Sequence, residues 1–370
     1  MRRHKLIVAF LVLSLCGCDN PPRGICNPNP SPGTVGSICG FANPEDVEVV
    51  PAAGLLVVSQ MRRGNQGGSL AALPLDPAAQ KEAIPRRLWP TGDPAADSTP
   101  AGSLLGDLSC TAPPPAHAFA PHGVASTGTD TPGVTRIAVV GHDVREAIEL
   151  FDLTGTGGTA TASWRGCVPL PAGVAGNDVS LAADGEIIVT NYMPVMRGWR
   201  GLYYTLKGGF GWNTGDVMVW ARGRGWRHLP GTAAPNPNGV LVSADETTLF
   251  YAETGSGRVS RVARAGGPAE QVTIGGNPDN LFLSPRGTIL AATHTDGAAF
   301  LLCAFGRLPC RTGWSIFEID PATLRATLLL HHDGSTVGGV ASAAEFDGRM
   351  YFGAVFDDRI GVWQRTPPSG

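Results

Sequence analysis

The sequence predicts an all-β fold, and three observations support this prediction. Fifty glycines and 31 prolines among 370 residues are nearly twice the average share of these two residues, roughly 12%. Each Gly or Pro inside a helix costs about 1–3 kcal/mol, so this load excludes a helical bundle. The chain is 43% hydrophobic and 16% charged, which excludes a disordered protein. Apolar and polar residues also alternate between Gly and Asp turns, which is typical of antiparallel strands.

The N-terminus has the pattern of a bacterial lipoprotein signal. Residues 2–5 are basic and residues 6–15 are largely apolar, which is typical of an export signal. The apolar run is too short to span a bilayer. The following LCGC motif, which ends at Cys18, resembles a lipobox, so we expect a signal peptide at 1–17 and lipidation of Cys18. An ordinary cleaved signal is the alternative.

Residues 18–38 are rich in Pro, Asn, Gly and Ser. We expect them to form a flexible tether between the membrane and a domain that occupies 39–367. The protein is therefore expected to be exported and membrane-anchored, facing the periplasm or the cell surface. The net charge of −3 excludes nucleic acid as a partner.

Six further cysteines predict disulfide bonds, because an even number of cysteines in an exported protein indicates a disulfide framework. Six cysteines allow 15 connectivities. Short spacings favour the pairs Cys26–Cys39 and Cys303–Cys310, which leaves Cys110–Cys167. The Cys and His spacings do not indicate a zinc site.

Six segments share one pattern and indicate a repeated sheet unit. Each contains a pair of polar or small residues, an alternating apolar stretch, a turn and a second β-rich stretch. Residues 215–222, 257–264 and 315–320 predict further strands in the same units. The segments begin at Glu45, His122, Asn177, Asn238, Asp279 and Gly338. Four strands per unit, repeated radially, make a β-propeller with six blades. A β-sandwich or a two-domain β protein is the alternative, but neither explains the recurrence.

The polar pair that opens each unit predicts a metal site. The innermost strand of every propeller blade runs along the central channel, so the six pairs converge at one channel mouth. They are Glu45-Asp46, His122-Gly123, Asn177-Asp178, Asn238-Gly239, Asp279-Asn280 and Gly338-Gly339. Carboxylate and amide oxygens dominate this set, and Ca²⁺ takes six to eight oxygen ligands. Without a cation, repulsion and desolvation would make the cluster costly. The alternative is that these residues are turn formers before strands.

Alternate residues of a strand point in opposite directions, so the pairs can serve two ions. One ion would be held by first-position residues together with Asn280, namely Glu45, Asn177, Asn238, Asp279 and Asn280. Asp46 and Asp178, in the second position, would hold a deeper ion. Each set carries two negative charges, which offset one Ca²⁺.

The order and hairpin context of these motifs resemble the serum paraoxonase/arylesterase family. The resemblance spans most of 39–362 and includes His142, His294 and the closing segment GGVASAAEFDGRMYFGAVF. It implies a six-bladed β-propeller with one catalytic and one structural calcium ion in the central channel. The implied ligands of the catalytic ion are Glu45, Asn177, Asn238, Asp279 and Asn280. Those of the structural ion are Asp46, Asp178 and the backbone carbonyl of Val124.

The resemblance also implies calcium-dependent hydrolysis of lactones and aryl esters, with organophosphate triesters as promiscuous substrates. Ca²⁺ can polarise an ester carbonyl, and histidine suits the activation of water near neutral pH. The family's histidine dyad maps onto His122 as the base and His142 as its partner, and His294 matches a substrate-lining histidine. Two alternatives stay open: a non-catalytic ligand- or partner-binding propeller with structural calcium, and a gluconolactonase-type sugar lactonase.

Residues 194–212 interrupt the repeat after the third inner hairpin. Their aromatic and apolar content predicts an amphipathic lid over the channel, and the resemblance implies that this insert also touches membrane. An ordinary long loop is the alternative. The chain departs from the family in two further places. It has no C-terminal Cys to pair with Cys39, and Tyr192-Met193 replace the family's Asp-His. The second departure bears on aryl-ester and triester hydrolysis more than on calcium binding.

Overall fold

Six sheets, antiparallel except for one short parallel edge strand, form a closed ring in the computed structural model, which confirms the predicted six-bladed β-propeller. The structure describes residues 25–62, 67–81, 83–97, 104–194, 199–304 and 310–365. The predicted signal peptide at 1–17 and the lipidation site Cys18 lie outside these residues. Among the described residues, no helix is long and apolar enough to cross a membrane.

The chain begins with strand β1 (Val35–Cys39) and then builds each blade from the channel outward. The first blade contains β2 (Pro44–Val50), β3 (Leu55–Gln60), β4 (Ser69–Pro74) and β5 (Arg86–Trp89). A short strand, β6 (Leu105–Gly106), adds to the outer edge of the second blade. The second blade otherwise contains β7 (Phe119–Gly128), β8 (Val134–Asp143), β9 (Ala147–Thr154) and β10 (Thr161–Pro169). The third contains β11 (Val174–Leu181), β12 (Ile187–Pro194), β13 (Asp216–Ala221) and β14 (Gly225–His228).

The remaining three blades follow the same order. The fourth contains β15 (Pro237–Val242), β16 (Thr248–Glu253), β17 (Arg258–Ala263) and β18 (Glu270–Thr273). The fifth contains β19 (Asn277–Leu283), β20 (Ile289–His294), β21 (Trp314–Ile319) and β22 (Ala326–His332). The sixth contains β23 (Val340–Phe346), β24 (Arg349–Ala354) and β25 (Arg359–Gln364). The helices are α1 (Pro77–Gln80), α2 (Pro94–Asp97), α3 (Trp199–Gly209) and α4 (Gly297–Ala304), with 3-10 turns at Pro51–Ala53, Ala116–Ala118 and Gly157–Thr159.

Strand β1 closes the ring. It pairs antiparallel with β25, with Val35 opposite Trp363 and Cys39 opposite Arg359, and so becomes the outermost strand of the sixth blade. Residues 35–38, which we assigned to the flexible tether, therefore lie in the sheet, and the propeller begins before residue 39. The Pro- and Gly-rich flank hid this strand, because five residues are too few to show alternation against such a background.

The three predicted cysteine pairings are confirmed at disulfide distance. The Cα atoms of Cys26 and Cys39 are 5.9 Å apart, those of Cys110 and Cys167 are 5.6 Å apart, and those of Cys303 and Cys310 are 5.3 Å apart. The first pair joins the segment before β1 to the end of that strand. The third pair joins the end of α4 to the chain that enters β21.

The hydrophobic core lies between neighbouring blades. Between the first and second blades, Trp89 meets Phe119 edge to face with ring centroids 4.6 Å apart, and it meets Phe151 at 5.1 Å. All three side chains are at most 1% exposed. Full burial of one large apolar side chain stabilises a fold by about 1.5–3 kcal/mol. Clusters of buried apolar residues also lie between the other neighbouring blades. This packing fixes the positions of the inner strands around the channel.

Candidate metal and hydrolase site

Every inner strand carries a pairing irregularity at its channel-mouth end. The register between inner and second strand skips residues at Pro44/Asp46, Pro121/Val124, Gly176/Val179, Pro237/Val240, Pro278/Leu281 and Val340/Ser342. A β-bulge releases residues from the ladder and re-aims their side chains. In the first five blades the skipped stretch contains a predicted site residue, so the backbone there is built to present side chains at the mouth.

The five residues predicted to hold the catalytic ion lie at these bulges and are all buried. Glu45, Asn177, Asn238, Asp279 and Asn280 are each at most 7% exposed. Asn280 Nδ2 donates a hydrogen bond to Glu45 Oε1 at 2.9 Å, although the two residues are 235 positions apart. The fold thus brings the first and fifth blades into direct contact at the mouth.

Four buried oxygens of this set have no hydrogen-bond donor among the described residues. They are Glu45 Oε2, Asn177 Oδ1, Asn238 Oδ1 and Asn280 Oδ1. A buried polar atom without a partner costs about 1–3 kcal/mol, so four in one place need an explanation. Carboxylate and amide oxygens are the ligands that Ca²⁺ prefers, and these residues therefore fit a calcium ion. No group of three or more His, Cys, Asp and Glu side chains in the described part of the chain is arranged to hold a metal; three of the five predicted ligands are asparagines.

The electrostatics of the channel also favour a cation. Burial raises the pKa of Glu45 well above its ordinary value, and neighbouring carboxylates, Asp46 first among them, raise it further. Burial raises the pKa of Asp46 to about 7, against the lowering effect of the Val124 N–H. The pKa of Asp178 is raised well above its ordinary value by burial and then by the charge of Asp46. These shifts have one cause: several carboxylates share a space from which water is largely excluded.

Asp46 and Asp178, predicted for the structural ion, each connect two blades. Asp46 Oδ2 accepts a hydrogen bond from the Val124 N–H at 2.8 Å, and Asp178 Oδ2 accepts one from the Val240 N–H at 2.8 Å. Their Oδ1 atoms accept from the N–H groups of the residues that follow them. Gly123 allows the second and third blades to approach each other closely, because a Cβ there would lie 2.4 Å from Asp178 Oδ1. Each carboxylate therefore ties its own inner strand to the next.

His122 and His142 form the predicted pair. His122 Nδ1 and His142 Nε2 are 3.1 Å apart, and His122 Nε2 lies 3.5 Å from Glu45 Oε1. Their side chains are 18% and 24% exposed, so both are reachable from the mouth. Burial, followed by the neighbouring His142, lowers the pKa of His122 to about 3. His122 is therefore neutral near pH 7, which leaves a nitrogen lone pair able to accept a proton.

His294, predicted to line the substrate site, is covered by an aromatic wall that consists of Phe300 and Phe356. It is 2% exposed, and its Nε2 lies 2.8 Å from Asp279 Oδ2. The ring of Phe300 stacks on it with centroids 3.7 Å apart, and Phe356 contacts Phe300 at 5.8 Å. Asp279, the partner of His294, also acts on Tyr192. Burial, and then the charge of Asp279, raises the pKa of the Tyr192 phenol, which is therefore neutral. Phe300 was not identified from the sequence, because α4 lies outside the repeated segments.

Glu146 is a second residue that the sequence analysis missed. It lies in the connection between β8 and β9, and its Oε2 is 2.6 Å from His142 Nδ1. Its side chain is 24% exposed. The sequence signal was a carboxylate in the turn that follows the strand carrying His142. Such turns are commonly polar for structural reasons alone, so the signal was not specific.

The predicted lid contains helix α3. Its outer face is apolar: Trp199, Tyr203 and Leu206, together with Phe210 just beyond the last helical residue, are between 50% and 74% exposed, and their spacing places them on one side. The end of the helix packs closely against the fourth blade at Asn236. A Cβ at Gly208 would overlap with Asn236 Oδ1, so this contact requires glycine. Residues 195–198 of the predicted lid lie outside the described residues.

Comparisons with known proteins support the fold. No protein-family model matches the chain, and no curated protein matches it. A gluconolactonase from Xanthomonas campestris is 16% identical, with 89% of this chain and 88% of that chain covered and a TM-score of 0.51. A luciferin-regenerating enzyme is 11% identical, with 89% and 94% covered and a TM-score of 0.50. A periplasmic gluconolactonase from Pseudomonas aeruginosa is 16% identical, with 84% and 72% covered and a TM-score of 0.41. The first two similarities show a shared propeller fold, and membership of the paraoxonase family stays a prediction.

Proposed function

We propose that this protein is a calcium-dependent lactone hydrolase. The observation that carries the proposal is the set of four buried, unpartnered oxygens next to the His122–His142 pair. Glu45, Asn177, Asn238, Asp279 and Asn280 would hold the ion. When bound, Ca²⁺ supplies a Lewis acid that polarises the lactone carbonyl and stabilises the oxyanion.

His122 would act as the general base. A water O–H bond breaks as its proton moves to His122 Nε2, and the resulting hydroxide attacks the lactone carbonyl carbon. The ring C–O bond then breaks, and the leaving alkoxide takes the proton back from His122. The product is the hydroxy acid, and His122 returns to its neutral form. His142 supports His122 from the Nδ1 side, where His142 Nε2 lies 3.1 Å from His122 Nδ1.

A second calcium ion is part of the proposal, with Asp46, Asp178 and the Val124 carbonyl as its ligands. The raised pKa values of Asp46 and Asp178 support a cation in this part of the channel. Counting bound metal by mass spectrometry of the native protein tests this directly. Two Ca²⁺ ions per chain are expected, and one would overturn the second site.

The substrate test uses a panel of γ- and δ-lactones with alkyl chains, glucono-δ-lactone and phenyl acetate. We expect lactone turnover that EDTA abolishes and Ca²⁺ restores, and Asn280→Ala should remove it while the fold survives. Asn213→Ala, at an exposed position, is the matched control. Undiminished turnover without calcium would overturn the metal's role. Absence of turnover on every lactone would overturn the hydrolase.

A gluconolactonase-type sugar lactonase is the second candidate, because a solved structure with this fold is a gluconolactonase. Preference for glucono-δ-lactone over alkyl lactones would favour it. A non-catalytic propeller that binds a ligand or a partner would instead show calcium-dependent melting without turnover of any lactone or ester.

Export and membrane attachment complete the proposal. Three cysteine pairs at disulfide distance fit an oxidising compartment, such as the periplasm or the cell surface. A lipid on Cys18 would provide the anchor. The apolar outer face of α3, flanked by Arg200 and Lys207, has the composition of a helix that lies in a membrane surface.

A further inference from the structure

A line of four titratable side chains runs from the solvent to the proposed metal site. Glu146 Oε2 lies 2.6 Å from His142 Nδ1, and His142 Nε2 lies 3.1 Å from His122 Nδ1. His122 Nε2 then faces Glu45 Oε1 at 3.5 Å. Both nitrogens of His142 and the Nδ1 atom of His122 are thereby within hydrogen-bond distance of a partner, and Glu146 is the outermost member of the line.

The acceptor at the outer end determines where the hydrogens lie. An ionised carboxylate can only accept hydrogen bonds, so His142 Nδ1 must donate to Glu146. In a neutral imidazole the other nitrogen is an acceptor, so His142 Nε2 accepts from the N–H at His122 Nδ1. Glu45 Oε1 accepts from Asn280 Nδ2 and lies 3.5 Å from His122 Nε2, which is too far for a hydrogen bond, so His122 Nε2 carries no hydrogen. Its lone pair points toward Glu45, where the proposed reaction needs a base.

No nearby cation diverts Glu146 from this role among the residues that the structure describes. Arg145, its neighbour in the chain, donates from Nε to Glu149 Oε1 at 2.8 Å and from Nη2 to Glu149 Oε2 at 2.9 Å. Arg62, on the adjacent blade, is paired with Asp143. The Glu146 carboxylate contacts His142 and is otherwise partly open to water.

We infer that Glu146 is a positioning residue, which sets the proton arrangement of the two histidines so that His122 Nε2 faces the channel as a base. It acts through His142 and does not itself take up the proton, as the buried carboxylate of a serine-protease triad orients its histidine. The catalytic part of this inference rests on the proposed function, whereas the proton arrangement stands on the geometry.

Two variants separate charge from contact. Glu146→Gln keeps the shape and an acceptor oxygen but loses the charge, and Glu146→Ala loses the contact altogether. Asp143→Asn is the matched control, because Asp143 adjoins His142 in the chain, the change removes one negative charge, and the asparagine oxygen can still accept a hydrogen bond from Arg62. Its backbone φ of 84° is one that Asn tolerates. Thermal unfolding of each variant establishes that the propeller is intact.

The first readout is ¹⁵N NMR of the full-length, histidine-labelled protein. We expect hydrogen on Nδ1 of both His142 and His122 in the wild type and in Asp143→Asn. In Glu146→Ala, the His142 hydrogen should move to Nε2. Hydrogen on Nε2 of His142 in the wild type would overturn the inference, as would an unchanged pattern in Glu146→Ala.

The second readout is lactone hydrolysis at saturating calcium. A positioned general base contributes about 10²–10⁴-fold, so partial loss of its orientation should lower kcat by about 10- to 100-fold in Glu146→Ala, and by less in Glu146→Gln. KM should stay within about two-fold. Equal kcat in Glu146→Ala and Asp143→Asn would overturn the inference. A wild type that hydrolyses no lactone refutes the proposed function instead, and the NMR pattern then decides the proton arrangement by itself.

Discussion

The ring of Phe300 stacks on the ring of His294, with their centroids 3.7 Å and their planes 21° apart. His294 contacts Asp279 Oδ2 through Nε2. Phe300, on helix α4, therefore holds the histidine that orients one of the proposed calcium ligands. The Cys303–Cys310 pair fixes the end of the same helix, so the aromatic wall is anchored at the mouth.

Phe300→Ala should weaken calcium binding. An aromatic contact of this kind is worth about 0.5–1.5 kcal/mol, so we expect the calcium Kd to rise about 2- to 10-fold by isothermal titration calorimetry. Leu302→Ala, on the same helix and 47% exposed, is the control and should leave the Kd unchanged. An unaltered Kd in Phe300→Ala would show that His294 holds Asp279 without help.

Calcium should stabilise the fold. Binding to the folded state alone contributes about 2.7 kcal/mol at a hundred times the Kd, which corresponds to a rise in Tm of about 3–4 °C for a chain of 370 residues. Differential scanning calorimetry with EDTA and with added Ca²⁺ measures the shift. Glu45→Gln, which removes a charged ligand, should reduce it. A Tm that ignores calcium in the wild type contradicts the metal site.

Removal of the Cys26–Cys39 pair should destabilise the closed ring. Chain-entropy arguments give about 3 kcal/mol for a loop of some 15 residues, and this pair also fixes the segment before β1, whose Pro28 carbonyl accepts a hydrogen bond from Arg349 of the sixth blade. We expect Cys26→Ser/Cys39→Ser to lose about 2–4 kcal/mol of unfolding free energy in urea. Cys303→Ser/Cys310→Ser leaves the ring closure untouched and is the comparison. A loss below about 0.5 kcal/mol would mean that strand pairing closes the ring unaided.

Acid should weaken the contact between the fifth and sixth blades. Burial would raise the pKa of Glu318, but hydrogen bonds from Arg365, Arg286 and Thr288 outweigh it and lower the pKa to about 2. Arg286 also pairs with Glu345 on β23 of the sixth blade. Because the folded-state pKa is depressed, the stabilisation is present above about pH 4.5 and is lost as the pH falls toward 2.

The measurement is the urea midpoint of wild type and Glu318→Gln between pH 7 and 2. At pH 7 the wild type should have the higher urea midpoint, and this difference should disappear as the pH falls to 2. Glu270→Gln, in an ion pair where Glu270 is 70% exposed, is the control and should track the wild type within about 0.5 kcal/mol. A constant difference between wild type and Glu318→Gln at every pH would contradict the assignment.

The outer face of α3 should bind lipid. Trp199 and Phe210 are 74% and 73% exposed, and burial of such side chains in a bilayer interface is favourable. In a Cys18→Ser background, Trp199→Ser/Phe210→Ser should lower partitioning into anionic vesicles several-fold in flotation assays. Leu328→Ser, on β22 and 53% exposed, is the control. Equal flotation of all three proteins would remove α3 from the membrane surface.

The sequence predicted the ring because the repeat is periodic and local. The pairs at Glu45, Asn177, Asn238 and Asp279 mark inner strands that the structure confirms. The sequence did not show the bulges at those strands, since each skips only one or two residues near the start of a strand, where the alternating pattern has not yet been established. Strand β1 was hidden by its Pro-rich surroundings.

The site was predictable where the repeat carries it and not elsewhere. Glu146 lies in a turn, and its role depends on a side-chain contact that only the folded chain brings about. Phe300 lies on a helix inserted between the second and third strands of the fifth blade, outside the repeated segments from which the site residues were predicted. The sequence predicted Asp46 and Asp178 as metal ligands, but not their hydrogen bonds to the neighbouring blades. Those bonds depend on the distance between blades, which the positions of the residues along the chain do not reveal.

The Cys26–Cys39 pair has a consequence for how the protein would be oriented. Cys39 is paired with Arg359, at the end of the sixth blade where the inner strands begin, so Cys26 emerges on the same face as the channel mouth. Only seven residues separate it from Cys18, and fully extended these reach at most about 28 Å. A lipid at that point would therefore hold the mouth toward the bilayer. Apolar substrates dissolved in the lipid leaflet would reach the channel mouth directly, without first passing through bulk water.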